Sequence, residues 1–99
     1  IGHQQSVDPL MDALYDDDPE VRMQAASALG WIGDVRAIDS LIGLIHDEDD
    51  WVPFSAADAL GRLGSIRAIA PLMLASRGRN PRVRAAAQDA LRQLGYLLN

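Results

Sequence analysis

The chain has no cysteine and no lysine, and only five aromatic residues. Without cysteine there is no disulfide frame, no thiolate metal site and no thiol nucleophile, which fits a reducing compartment. No apolar run approaches the ~20 residues that a membrane helix requires. No basic, apolar leader opens the sequence either, so a soluble cytoplasmic protein without a membrane partner is expected. Catalytic equipment is equally scarce. His3 and His46 are the only histidines, and neither has a nucleophile at a recognisable spacing. There is no glycine-rich phosphate loop and no metal-ligand pattern. No catalytic residue, metal or cofactor is expected, and the chain does not read as an enzyme acting alone.

What is present is repetition. Ala25-Ala26-Ser27-Ala28-Leu29-Gly30-Trp31-Ile32-Gly33 returns as Ala56-Ala57-Asp58-Ala59-Leu60-Gly61-Arg62-Leu63-Gly64, and again, worn, as Ala87-Gln88-Asp89-Ala90-Leu91-Arg92-Gln93-Leu94-Gly95. The step is 31 residues each time, and Val21, Val52 and Val83 keep it, as do Leu10, Leu41 and Leu72. A fixed period without insertions marks stacked copies of one supersecondary unit, each burying its apolar face on its neighbours. The 99 residues divide as one domain of three units, 3–33, 34–64 and 65–95, with residues 1–2 resembling the end of a preceding unit. Ile1-Gly2-His3 is in register with Ile32-Gly33-Asp34, and Tyr96-Leu97-Leu98 adds apolar residues where a polar cap is expected. Both ends therefore predict self-stacking of copies or a continuation.

Within each unit the apolar spacing is helical. Val7, Leu10, Met11 and Leu14 fall on one stripe of a first helix, A, with copies at Ile38, Leu41, Ile42, Ile45 and at Ile69, Leu72, Met73. Val21, Ala25, Ala28, Leu29 and Ile32 form the stripe of a second helix, B, copied at Val52, Ala56, Ala59, Leu60, Leu63 and at Val83, Ala87, Ala90, Leu91, Leu94. Asp18, Asp49 and Asn80 stand where a side-chain oxygen would cap helix B. Pro19 and Pro81 follow at the first helical position, and Gly33, Gly64 and Gly95 end the helix. Asp34 and Ser65 are expected to cap the next helix A. Pro9 and Pro71 predict a bend or late start in helix A, and Pro53 should cost helix B of the second unit one hydrogen bond.

Charge is unevenly placed. Residues 1–50 carry twelve acids against two arginines, a net of −10, whereas residues 51–99 carry two acids against seven arginines, a net of +5. Such a dipole along the stack steers partners rather than fixing the fold. Asp16-Asp17-Asp18 and His46-Asp47-Glu48-Asp49-Asp50 lack the alternating spacing and turn glycine of a calcium loop, and are read as capping and solvated groups. Arg77, Arg79, Arg82 and Arg84 gather at one loop and offer an alternative reading, weak nucleic-acid binding through the Arg77–Arg84 patch, opposed by the acidic remainder.

The sequence Asp18-Pro19-Glu20-Val21-Arg22, then Ala25 to Asp34, then Arg36-Ala37-Ile38, resembles the HEAT-like repeats of the phycobilisome-lyase type. Arg67-Ala68-Ile69 and Asn80-Pro81-Arg82-Val83-Arg84 extend the resemblance over essentially the whole chain. Repeat and resemblance together predict an all-α, right-handed α-solenoid of three stacked helix pairs. Members of that family scaffold, bind other proteins, or help attach pigments to antenna proteins. The resemblance therefore implies a protein–protein interaction module, or alternatively an accessory subunit of a bilin lyase-like enzyme. It also implies a hydrogen-bonded ladder between units in which Asp18 partners Arg22. Asp49 lacks its arginine because Pro53 stands there, and Arg84 faces Asn80, so the middle joint should be softer.

The face of helix B opposite its apolar stripe carries Glu20, Gln24, Ser27 and Trp31, with copies Trp51, Ser55, Asp58, Arg62 and Arg82, Ala86, Asp89, Gln93. In solenoids of this kind helix B lines the concave side. Trp and Arg are favoured anchors at interfaces. The expected partner-binding residues are Glu20, Gln24, Trp31, Trp51, Phe54, Ser55, Asp58, Arg62, Arg82 and Gln93. The competing reading is that each indole lies over a joint and completes the packing.

Overall fold

Local chemistry sets where each helix begins. Asp18 accepts a hydrogen bond from the Glu20 N–H at 2.9 Å, Asp49 from those of Trp51 and Val52 at 2.8 and 3.0 Å, and Asn80 from those of Arg82 and Val83 at 2.9 and 3.4 Å. In the first and third units these are amides of the helix's first turn; in the second the helix starts later than expected, at Val52 with Trp51 as its N-cap, so Asp49 holds the turn that leads into it. A computed structural model describes residues 9–96, and the secondary structure among them is helical throughout. Helix α1 covers 9–13 of the described residues. It is followed by α2 (Pro19–Ile32), α3 (Ile38–Leu44), α4 (Val52–Leu63), α5 (Ile69–Ala75) and α6 (Pro81–Gln93), with 3-10 turns at Val35–Ala37 and Ile66–Ala68. The stretches Ile1-Gly2-His3 and Leu97-Leu98, and Val7 of the first stripe, lie outside the described residues.

The long helices end on Gly33 and Gly64, whose φ of +80° and +71° is left-handed backbone that side-chain-bearing residues avoid. Their N–H groups return to the carbonyls of Leu29 and Leu60 at 3.0 and 3.2 Å. Pro53 acts as expected. In the first and third units the opening bond of helix B runs from Arg22 N–H to the Asp18 carbonyl and from Arg84 N–H to the Asn80 carbonyl. Pro53 stands at that position in the second unit and has no N–H to give.

Helix A departs from expectation. Asp34 and Ser65 accept from the N–H groups of Arg36 and Arg67, and so cap a 3-10 turn, not the α-helix itself. The α-helices then start at Ile38 and Ile69. Pro71 is not the reason for this delayed start, because α3 begins in the same way with Ser40 at that position. A tight 3-10 turn is a common lead into a helix and simply continues here.

The long helices form one layer, α4 lying between α2 and α6, while α3 packs on α4 and α5 on α6. This is a helical solenoid with extents of 40 × 26 × 16 Å. Leu29, Leu60 and Leu91 are fully buried, as are Ala56 and Ala87, with Leu41 and Leu72 beneath them. Ile32, expected in the stripe, is exposed. Glycine lets the long helices touch. A Cβ built on Gly30 would lie 2.8 Å from both Cα and Cβ of Ala59, and one on Gly61 would lie 2.9 Å from Cα of Ala90.

The ladder between units takes a different form from the one the resemblance implies. Arg22 partners Asp47, 25 residues on, and not Asp18: its Nε and Nη2 donate to the two carboxylate oxygens at 2.9 and 3.0 Å. Asp18 cannot serve, because its side chain caps α2. The remaining Nη1 donates to the carbonyls of Asp16 and Asp17 at 2.6 and 3.0 Å. The Asp47 hydrogen bond raises the Arg22 pKa above its usual value. A bidentate fork of this kind fixes geometry as well as charge. Arg22→Met keeps the aliphatic stem and removes the fork, leaving a largely buried Asp47 carboxylate without its cation. The thermal midpoint is expected to fall, and by more than in Arg67→Met, which removes only an exposed pair with Asp39. Equal midpoints would show the fork to be idle.

Candidate functional site

Because the units repeat, residues one period apart stand side by side on neighbouring long helices. Trp31 and Arg62 are such a pair, and so are Trp51 and Arg82. In both cases the guanidinium lies over the indole. The Arg62 carbon is 3.8 Å from the Trp31 ring centroid, and the Arg82 carbon 4.5 Å from that of Trp51. Each contact spans one joint of the stack, the first from α2 to α4 and the second from α4 to α6. The attraction is between a cation and the negative face of the ring, about 0.5–1 kcal/mol at exposed positions.

The indoles remain accessible. Trp31 is 71 % exposed and Trp51 47 %. They therefore bridge joints without being enclosed by them. Phe54 meets Trp51 edge-on, with ring centroids 5.7 Å apart. Asp58 accepts from Nε of Arg62 at 3.2 Å, holding the cation over Trp31 from below. Two clusters result: Trp31, Arg62 and Asp58 at the ends of the long helices, and Trp51, Phe54 and Arg82 at their starts.

The other expected residues divide. Glu20 borders a shallow hollow of about 180 Å³ beside Trp51, and Gln24 reaches back to Glu20 at 3.4 Å. Gln93 is exposed but belongs to neither cluster, and its side chain lies against Gly61. Ser55 is a correction. It is only 7 % exposed and cannot touch a partner. It sits on α4, which is flanked on both sides by α2 and α6, and its side chain is short. The copy of this position on α6, Ala86, is also buried, at 5 % exposure.

The arginine patch is also divided. Arg82 is engaged with Trp51, and Nη1 of Arg84 donates to the carbonyls of Gly78 and Arg79, both at 2.9 Å. Arg77 and Arg79 are the exposed remainder. Among the described residues, no group of three or more His, Asp or Glu side chains is placed to hold a metal ion. No helix among them is long and apolar enough to cross a membrane.

Sequence reasoning set the two tryptophans and the two arginines in aligned columns but did not pair them. The signal was present, since each pair is separated by one period. The sequence reading of Asp47 as a capping or solvated acid does not pair it with Arg22. Its equivalence to Asp16 was the available clue: each accepts from the N–H two residues on, at 3.0 and 2.9 Å.

A family model of HEAT repeats matches residues 1–53 and 38–92. The chain belongs to the HEAT-repeat family, whose members are commonly protein-interaction scaffolds. A search of the curated proteins finds no match.

Proposed function

We propose that this chain is a protein–protein interaction module, not an enzyme, and that the exposed face of α2, α4 and α6 receives the partner. One observation carries this reading: two accessible indoles, each stacked on an arginine supplied by the next unit. Tryptophan and arginine contribute most often to interface hot spots. Here they are held in place before a partner arrives, which lowers the ordering cost of binding. The motif from Asp18 to Ile38 supports the narrower assignment to the phycobilisome-lyase type of repeat. The acidic first half and basic second half favour partners with a matching charge gradient.

The test starts from peptides selected for binding to the intact chain. Trp31→Ala and Trp51→Ala should each weaken a selected peptide by about 30-fold, the loss of roughly 2 kcal/mol typical of a hot spot. Trp31→Ala should change the unfolding free energy by no more than about 1 kcal/mol, the worth of one exposed cation–π contact, and Trp51→Ala, which also loses the edge-on Phe54 contact, by no more than about 2.5 kcal/mol. Peptides that tolerate both substitutions would place the binding face elsewhere. A collapse in stability would make the indoles packing residues only.

A further inference from the structure

The guanidinium of Arg22 occupies a seat defined by the carbonyls of Asp16 and Asp17 on one side and the Asp47 carboxylate on the other. Arg84 occupies the corresponding seat in the third unit, with Nη1 on the carbonyls of Gly78 and Arg79. By the period, the matching place in the second unit lies over Asp47 and Glu48, where helix B starts later, at Val52. There the residue in the arginine position is Pro53, and Gly78 stands in the place of Asp47. Neither side chain can complete the seat.

What the structure has at that place is a cleft of about 320 Å³. Its walls include Asp47, Glu48, Asp49, Pro53, Gly78 and Asn80. Moved back by one period, these are Asp16, Asp17, Asp18, Arg22, Asp47 and Asp49. They comprise Arg22 itself, the residues it hydrogen-bonds, and the two caps beside them. The cleft is thus the second copy of the Arg22 seat, opened by the loss of both its arginine and its acid. Arg79 lines the rim but is exposed and makes no hydrogen bond to the Asp47 or Glu48 carbonyls.

We infer that this cleft binds an arginine side chain presented by a partner protein. The two filled seats show what the position recognises. In each, a single Nη1 bridges two successive carbonyls, and in the first the rest of the fork faces a carboxylate. Three features favour a guanidinium in the second. The turn that carries Asp47 and Glu48 opens as the first one does, Asp47 accepting from the Asp49 N–H as Asp16 accepts from the Asp18 N–H. Glu48 and Asp50 line the cleft beside Asp47 and Asp49, an acidic majority against the one cation there, Arg79. The apolar stem of an arginine has Ile45, Leu74 and Val83 to lie against. An ammonium is a compact point charge and lacks the planar fork that spans both sides of such a seat. The inference deepens the protein-interaction reading, on which the source of the arginine rests, and it places a second anchor away from the indoles.

The experiment uses the whole chain and N-acetyl-arginine amide, followed by backbone amide NMR. Saturable shifts are expected at residues 47–50 and 78–80. N-acetyl-citrulline amide, which has the shape without the charge, should leave them unmoved, and N-acetyl-lysine amide should bind several-fold more weakly. Pro53→Arg, which supplies the missing fork from within, should abolish the shifts and raise the thermal midpoint. Gly78→Asp, which supplies the missing carboxylate, should tighten the arginine probe about tenfold. A merely acidic surface would give the same signs for these two variants, but it would not prefer arginine to lysine and would not gain thermal midpoint from Pro53→Arg. Equal binding of lysine, tighter binding of free arginine than of the blocked form, or indifference to Pro53→Arg would overturn the inference. Trp31→Ala should leave the shifts intact. Loss of peptide binding in that variant alongside absent arginine shifts would retain the indole face and remove this site.

Discussion

Leu60→Ala is expected to remove about 3–5 kcal/mol of unfolding free energy, the upper range for a leucine truncated in a core that cannot collapse. Leu60 is fully buried in the last turn of α4, in line with Leu29 and Leu91. In a stack, stability is close to a sum of unit terms and joint terms. Because α4 packs on both α2 and α6, a void there weakens two joints at once. A chain of this size holds only about 5–15 kcal/mol in total, so the variant should approach the folding threshold. Urea unfolding followed by circular dichroism measures it, with a lower midpoint at an unchanged slope. Leu74→Ala, on an exposed leucine, provides the comparison and should stay within about 0.5 kcal/mol. A Leu60 loss below about 1 kcal/mol would mean that the middle joint closes over the void.

Gly30→Ala should destabilise by about 1–3 kcal/mol, the usual range for an overpacked contact. Helix propensity alone predicts the reverse, a gain of about 1 kcal/mol for removing a glycine from a helix interior. Geometry decides between them. The added methyl would stand 2.8 Å from the Ala59 backbone, and a backbone cannot rotate aside as a long side chain would. Either α2 moves off α4 or both helices strain. Gly43 is the internal control. It lies in α3, and a methyl added there would meet no atom within 4 Å, so Gly43→Ala should stabilise by up to about 1 kcal/mol. Opposite signs at the two glycines would establish close approach as the reason for Gly30, and equal gains would refute it.

The contacts between units show how far one repeat explains the next. The first joint has a bidentate Arg22–Asp47 fork, and the second has Pro53 and Gly78 at the same two positions. The two losses match: without its arginine a carboxylate at position 78 would have no cation, and without its acid an arginine at 53 would lack half its seat. The expectation that the middle joint differs from the first came from Pro53 alone. Its partner loss at Gly78 became visible only once Asp47, not Asp18, was known to receive Arg22.

Sequence alone determined where α2 and α6 start, where α2 and α4 stop, and most of the core columns. Asp18, Asn80 and the terminal glycines act on amides and carbonyls within a few residues of themselves, so neighbours in the chain suffice to read them. Leu29, Leu60 and Leu91 were legible because one period brings the same environment back. Tertiary structure decided everything that crosses a joint: the burial of Ser55, the Arg62 and Arg82 cations over their indoles, the choice of Asp47 by Arg22, and the cleft beside Pro53. A period fixes the number of residues between neighbours. It does not fix the spacing and rotation of one helix pair against the next, and a few ångströms of either determine which side chains meet.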